Sequence, residues 1–209
     1  GGVSCGATTT ISSTAGTHGL RNFDVAYEGL TGDALIVYGT ATSDELRKIE
    51  WSATSSSWVR DAAITTTRTT GTVEWVELAS RSTSTDEIGI AYSDSNDDVS
   101  AYKWSGTSTI DEATAAITTT ASTADLRKFD ISFEGVSGSM VVASPLATAG
   151  TTAIGRLTTA DVWTIVANTA PDNVTAYIDL QSPGPYNNIA MIAHGTTNAG
   201  ANPTEGYET

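Results

Sequence analysis

Short runs in which apolar and polar residues alternate, bounded by Gly, Ser, Asp or Asn, recur along the whole chain. Phe23–Tyr27 (FDVAY) and Phe129–Phe133 (FDISF) have this period of two, which predicts half-buried strands. Ala34–Tyr38, Ile88–Tyr92, Met140–Ser144 and Ile189–His194 are almost unbroken apolar runs between turn-forming residues. They predict strands covered on both faces. Leu46–Trp51, Val99–Trp104 and Ala153–Leu157 alternate again, and a fourth class of segment follows at Trp58–Ile64, Ile110–Ile117 and Trp163–Ala167. No segment sustains the 3.6-residue period of a helix, so the chain is expected to be all-β.

These runs are copies of one another. Leu20-Arg21-Asn22-Phe23-Asp24-Val25-Ala26-Tyr27-Glu28-Gly29 returns as Leu126-Arg127-Lys128-Phe129-Asp130-Ile131-Ser132-Phe133-Glu134-Gly135, displaced by 106 residues, and the match extends to Gly32 and Gly138. Weaker copies lie at Thr72–Ala79 and Asn173–Leu180, which makes the underlying period about 50 residues in four copies. The copies run over about 1–57, 58–109, 110–162 and 163–209, within one domain of residues 1–209. Each has strands A, B, C and D in order. Ala7–Ile11 reads like a D segment and Asn202–Thr209 like a degraded C, so the chain is phased D-A-B-C. The N-terminal strand is expected to complete either the last sheet of its own ring or that of another molecule.

An aromatic-Asp strand, a Gly-bearing turn, an apolar strand and a Trp-bearing hairpin together resemble the β-propeller-like repeats of secreted prokaryotic cell-surface proteins. That resemblance implies four-stranded blades packed face to face, with Trp51, Trp104 and Leu157, and likewise Trp58, Ile110 and Trp163, as residues between blades. A four-bladed ring would also be similar to the hemopexin-type propeller, although a chain with one cysteine lacks the terminal disulfide of that family. A β-sandwich is the alternative fold.

Composition narrows the partners. The 209 residues carry 24 acidic and 10 basic side chains, a formal charge of −14. Nucleic acid and anionic membrane surfaces would be repelled. No apolar run reaches the roughly 18 residues of a spanning helix. Ser and Thr exceed a quarter of the chain and lysine occurs three times. With the lone Cys5, this predicts an extracellular, disulfide-free surface protein whose signal has been removed. Asn173-Val174-Thr175 is a sequon, so Asn173 is a glycosylation candidate.

Candidate chemistry is sparse. His18 falls in a loop, and His194 takes the strand-B position of Tyr38, Tyr92 and Ser144; neither has a nucleophile motif beside it. Carboxylates recur on strand A. Asp24 and Asp130 share one position, Glu77 and Asp179 the next along, and in a four-bladed ring they would face the axis, where oxygen ligands hold a cation. The arginines that travel with them, Arg21 and Arg127, predict ion pairs instead. Asp94, Asn96 and Asp98 have the one-three-five spacing of a calcium loop, but Val99 stands where its glycine should be and Ser105 where its bidentate Glu should be. Glu28-Gly29 and Glu134-Gly135 read as tight turns at positive φ. Apart from Ca2+ at the Asp94 loop, no cofactor is expected.

The expected function is therefore non-enzymatic. The chain reads as an extracellular structural or adhesive protein, self-associating into a filament or surface layer through its N-terminal strand. A monomeric carbohydrate- or ligand-binding propeller is the alternative, and a two-carboxylate propeller glycosidase stands behind both.

Overall fold

A computed structural model describes residues 10, 21–43, 45–64, 71–81, 85–106, 109–110, 116–121, 129–148, 151–169, 175–182, 190–195 and 204–208. Among them there is no α-helix, and therefore none long and apolar enough to cross a membrane. The described residues form fifteen strands in four antiparallel sheets, each a meander of consecutive strands. The first holds β1 (Phe23–Tyr27), β2 (Ala34–Gly39), β3 (Leu46–Ser52) and β4 (Ser57–Ile64). The second holds β5 (Val73–Ser80), β6 (Glu87–Asp94), β7 (Val99–Ser105) and β8 (Thr109–Ile110). The third comprises β9 (Asp130–Phe133), β10 (Met140–Pro145), β11 (Thr151–Leu157) and β12 (Trp163–Thr169). β13 (Thr175–Gln181), β14 (Ala190–Gly195) and β15 (Thr204–Glu208) make the fourth, in that order. All of the opening Ala7–Ile11 segment but Thr10, together with Arg127 and Asn173 of the sequon, lies outside the described residues.

Register follows the hydrophobic pattern. Phe23 pairs with Tyr38 and Val25 with Ile36, while Val76 pairs with Tyr92 and Leu78 with Ile90. The second strand of each of the first three sheets is buried almost throughout; in the second and third sheets a neighbouring sheet covers each face. β7 departs from the expected alternation: Val99–Trp104 is buried at every residue. It belongs to the second sheet, which has a neighbour on each face. Of the expected Ile110–Ile117 strand, the described part of β8 includes only Ile110; beyond residues 111–115, which lie outside the described residues, Ile117 N–H donates to the Val99 carbonyl of β7 and Val99 N–H to the Thr118 carbonyl.

The core consists of layers between consecutive sheets. Between the first and second lie Ala26, Leu35, Val37 and Leu46 against Val76, Ile88, Ile90, Tyr92 and Trp104. Between the second and third lie Ala91, Val99 and Ala101 against Phe129, Ile131, Phe133, Met140 and Leu157. Val141 and Ala143 meet Ile178 and Leu180 between the third and fourth. Each sheet thus has a trailing face, toward the preceding sheet, and a leading face, toward the next. Gly89 on β6 keeps the second layer thin: a Cβ there would stand 2.5 Å from Met140 Sδ and 2.8 Å from Ile131 Cδ1.

Candidate functional site

The strand-A carboxylates are the most regular polar feature of the fold. Asp24 pairs opposite Val37, Glu77 opposite Ala91, Asp130 opposite Ala143 and Asp179 opposite Ile192. In every case the acid sits between two trailing-face residues, Phe23 and Val25, Val76 and Leu78, Phe129 and Ile131, or Ile178 and Leu180. All four therefore occupy one structural position, rather than two adjacent ones as the sequence alignment implied. An irregularity between Thr175 and Tyr177 accounts for part of the discrepancy.

Alternation aims these acids at the leading face, toward the next sheet. Asp24 Oδ2 accepts the Leu78 N–H at 2.8 Å, and Asp130 Oδ2 accepts the Leu180 N–H. Asp130 Oδ1 takes a second amide, that of Ile131, at 2.9 Å. Arg21 pairs with Asp24 at 2.5 Å and reaches Glu77 at 3.8 Å, as the shared Arg predicted. Asp24 and Asp130 thus tie neighbouring sheets together. Among the described residues no three acidic, histidine or cysteine side chains gather into a group that could hold a metal ion.

The Asp94–Asp98 hairpin has its own internal account. Asp94 is fully buried. Its Oδ1 accepts the amides of Asn96 at 2.9 Å and Asp98 at 3.1 Å, and its Oδ2 accepts that of Gly71 at 3.1 Å. Asp97 has a φ of 64°, a left-handed conformation that Asp tolerates in turns. Asp94 therefore ties β6 to the start of β5 and caps the turn. Burial, reinforced by the charges of Asp94 and Asp97, holds the Asp98 carboxyl above its ordinary range.

Glu28 and Glu134 hold the turns that follow strand A, with one correction to the expected turn. Positive φ belongs to Gly32 (80°) and Gly138 (68°), not to Gly29 or Gly135. The glutamate closes the loop ahead of that glycine. Glu28 accepts the Thr31 and Asp33 amides, the Leu30 amide and the Thr31 hydroxyl. Burial works to raise its pKa, but these bonds outweigh it and hold the carboxyl below the usual value. Glu134 behaves alike: burial opposes ionisation, while a two-pronged contact from Arg156, at 2.9 and 2.7 Å, and the Ser137 hydroxyl lower it.

His18 and Cys5 fall outside the described residues. The backbone pairing puts Ala193, not His194, opposite Ile178, so His194 lies one residue beyond the position of Tyr38 and Tyr92. Sequence reading missed the buried cations. Lys103, only 6% exposed, bridges Glu87 and Asp161 and so links the second sheet to the third. Burial lowers its pKa, but both carboxylates counter that and raise it overall. Its counterpart on β3, Glu50, accepts the Trp104 indole N–H at 3.3 Å and holds Lys48 at 2.5 Å. The signal was present in the sequence, since two of three lysines fall on strand C, where one face must be buried.

The Trp positions divide. Trp104 and Leu157 are 1% exposed and pack between sheets, whereas Trp51 is only half-buried and Trp58 is 44% exposed. These last two meet edge to face, with ring centroids 5.4 Å apart.

No family model and no curated protein matches the chain. Its fold is similar to that of a solved structure, an arginine-to-alanine triple mutant of AofleA from Arthrobotrys oligospora. The TM-score is 0.54 at 13% identity, over 90% of this chain and 55% of that one. A second AofleA structure from the same organism aligns with a TM-score of 0.47 and 14% identity, over 84% of this chain and 52% of that one. The chain spans about half the length of each.

Proposed function

We propose that the protein is a non-enzymatic structural or adhesive component of the cell exterior, built from four propeller-like blades and associating with its own kind. The observation that carries this reading is the strand count of the last sheet. Three sheets have four strands; the fourth, among the described residues, has three and ends on β15. The sequence phase supplies the missing class of strand at Ala7–Ile11. An unpaired strand edge is a template for pairing, and donation of a strand between molecules is an established route to polymers. The use of Asp24, Asp94 and Glu28 on the fold's own amides, and of Glu134 on Arg156 and the Ser137 hydroxyl, supports a packing role for these acids over catalysis or metal binding.

Electron microscopy of purified material, with light scattering for mass, tests the reading. Ordered filaments or sheets that vanish on deletion of Gly1–Ile11 agree with it. Monodisperse monomers at all concentrations overturn it. The exposed Trp58, beside Trp51, favours a second reading as a glycan-binding module, because aromatic faces stack on sugar rings; binding on a glycan array by a monomeric protein would establish that instead.

A further inference from the structure

Positions 106 residues apart should share an environment, and Phe23, Val25 and Tyr27 do not. Their counterparts on β9, Phe129, Ile131 and Phe133, are 0%, 5% and 4% exposed, packed on the second sheet. Phe23, Val25 and Tyr27 are 59%, 48% and 64% exposed. Trp51 repeats the contrast with Trp104 and Leu157. All four lie on the trailing face of the first sheet, above a small apolar cluster of Ile36, Tyr38 and Ile49. An internal control separates this from ordinary surface: Leu30 and Val136, also 106 residues apart, are both 59% exposed. The sequence of the first sheet is thus built to be packed upon, and no described sheet packs on it.

We infer that this face receives the fourth sheet of a second copy of the chain, so that the junction between molecules repeats the junction between consecutive sheets within one. The inference rests on the self-association reading above and names its surface and partner. Within the chain, the leading face always mates with the trailing face of the next sheet. The described sheet with no successor is the fourth. On β13, Gln181 is exposed and stands two residues past Asp179, as Ala79 stands two past Glu77. Ala79 packs against the cluster that contains Phe129, Ile131 and Phe133. Gln181 of one molecule therefore falls beside Val25 and Tyr27 of the next.

The linking sequence fits the same junction. Ile11 corresponds to Ile117, which is buried between the second and third sheets, so the sequence ahead of the first sheet carries a residue of the kind that the chain uses between its own sheets. The two faces differ, so the contact is head to tail and generates rings or filaments.

Two singly substituted chains, Tyr27→Cys and Gln181→Cys, each in a Cys5→Ser background, are mixed and oxidised. A disulfide joining one chain of each kind is expected. A bond formed mainly between two Tyr27→Cys chains overturns the inference in favour of a symmetric contact. An internal bond in a chain carrying both substitutions overturns it in favour of a closed ring. A Val25→Asp/Tyr27→Asp variant provides the second measurement. Both side chains are exposed in the single chain, so the variant should keep the wild-type circular-dichroism spectrum while its light-scattering mass falls to that of the monomer. If its assemblies match the wild type, this docking face is wrong though self-association stands. If the wild type itself is monomeric, both fall.

Discussion

Asp24 on β1 and Leu78 on β5 are joined across two sheets by a 2.8 Å bond from the leucine amide to the aspartate carboxylate, and Asp130 and Leu180 repeat the bond 106 and 102 residues further on. The first strand of each sheet lies at its edge and leaves amides with no ladder partner, and a buried amide without an acceptor is costly. A carboxylate on the preceding sheet answers that need and sets the stagger of the two sheets at once.

Asp24→Ala should destabilise the fold by about 1–3 kcal/mol, the usual cost of orphaning a partly buried donor. Asp24→Asn, which keeps an acceptor oxygen, should lose less. Urea titration with a common slope checks the order; equal losses would show that charge, through Arg21, is the active element.

Asp94→Ala should cost more than Asp24→Ala, because three amides lose their acceptor together. The same saturation predicts that millimolar calcium leaves the thermal midpoint unmoved. Calorimetry with calcium and with chelator measures both effects, and a calcium-dependent rise would restore the calcium-loop reading of Asp94, Asn96 and Asp98.

Acid should find Glu28 and Glu134. Their folded pKa values lie below the ordinary glutamate value of 4.5, so the native state favours the charged form. Their contribution is complete above the unfolded pKa and is lost as pH falls through the lower folded values. A Glu28→Gln/Glu134→Gln variant should therefore be less stable at neutral pH and show a flatter loss below pH 4.5 than wild type, measured by denaturant midpoint against pH.

Gly89→Ala should destabilise by about 1–3 kcal/mol through overpacking, because the added methyl would meet Met140 and Ile131 inside their contact distance. Pairing it with Met140→Ala should recover part of the loss, as a double-mutant cycle would show.

Much of the fold was legible from the chain alone. Alternation in Phe23–Tyr27 and continuous apolarity in Ala34–Tyr38 depend on local sequence and local geometry, and the strands, their order and the turns followed from them. The glycine assignment failed by a few residues because a turn's φ values depend on how the loop closes. Glu28 closes it by accepting amides as far as Asp33, which moves the left-handed residue to Gly32. The candidate site was legible only as a set of residue types. Asp24, Glu77, Asp130 and Asp179 could be read as acids recurring on one strand, but whether they met across an axis or bonded to the next sheet depended on how the sheets stack.

The sequence by itself determined that the chain would form repeated antiparallel meanders with buried second strands, since a period of two and a turn every few residues permit little else. Tertiary structure alone decided which equivalent residues are equivalent in environment. Trp51 and Trp104 share a place in the repeat, yet one is buried and the other half open, because burial belongs to the space between two sheets and the first sheet lacks a described neighbour on its trailing side.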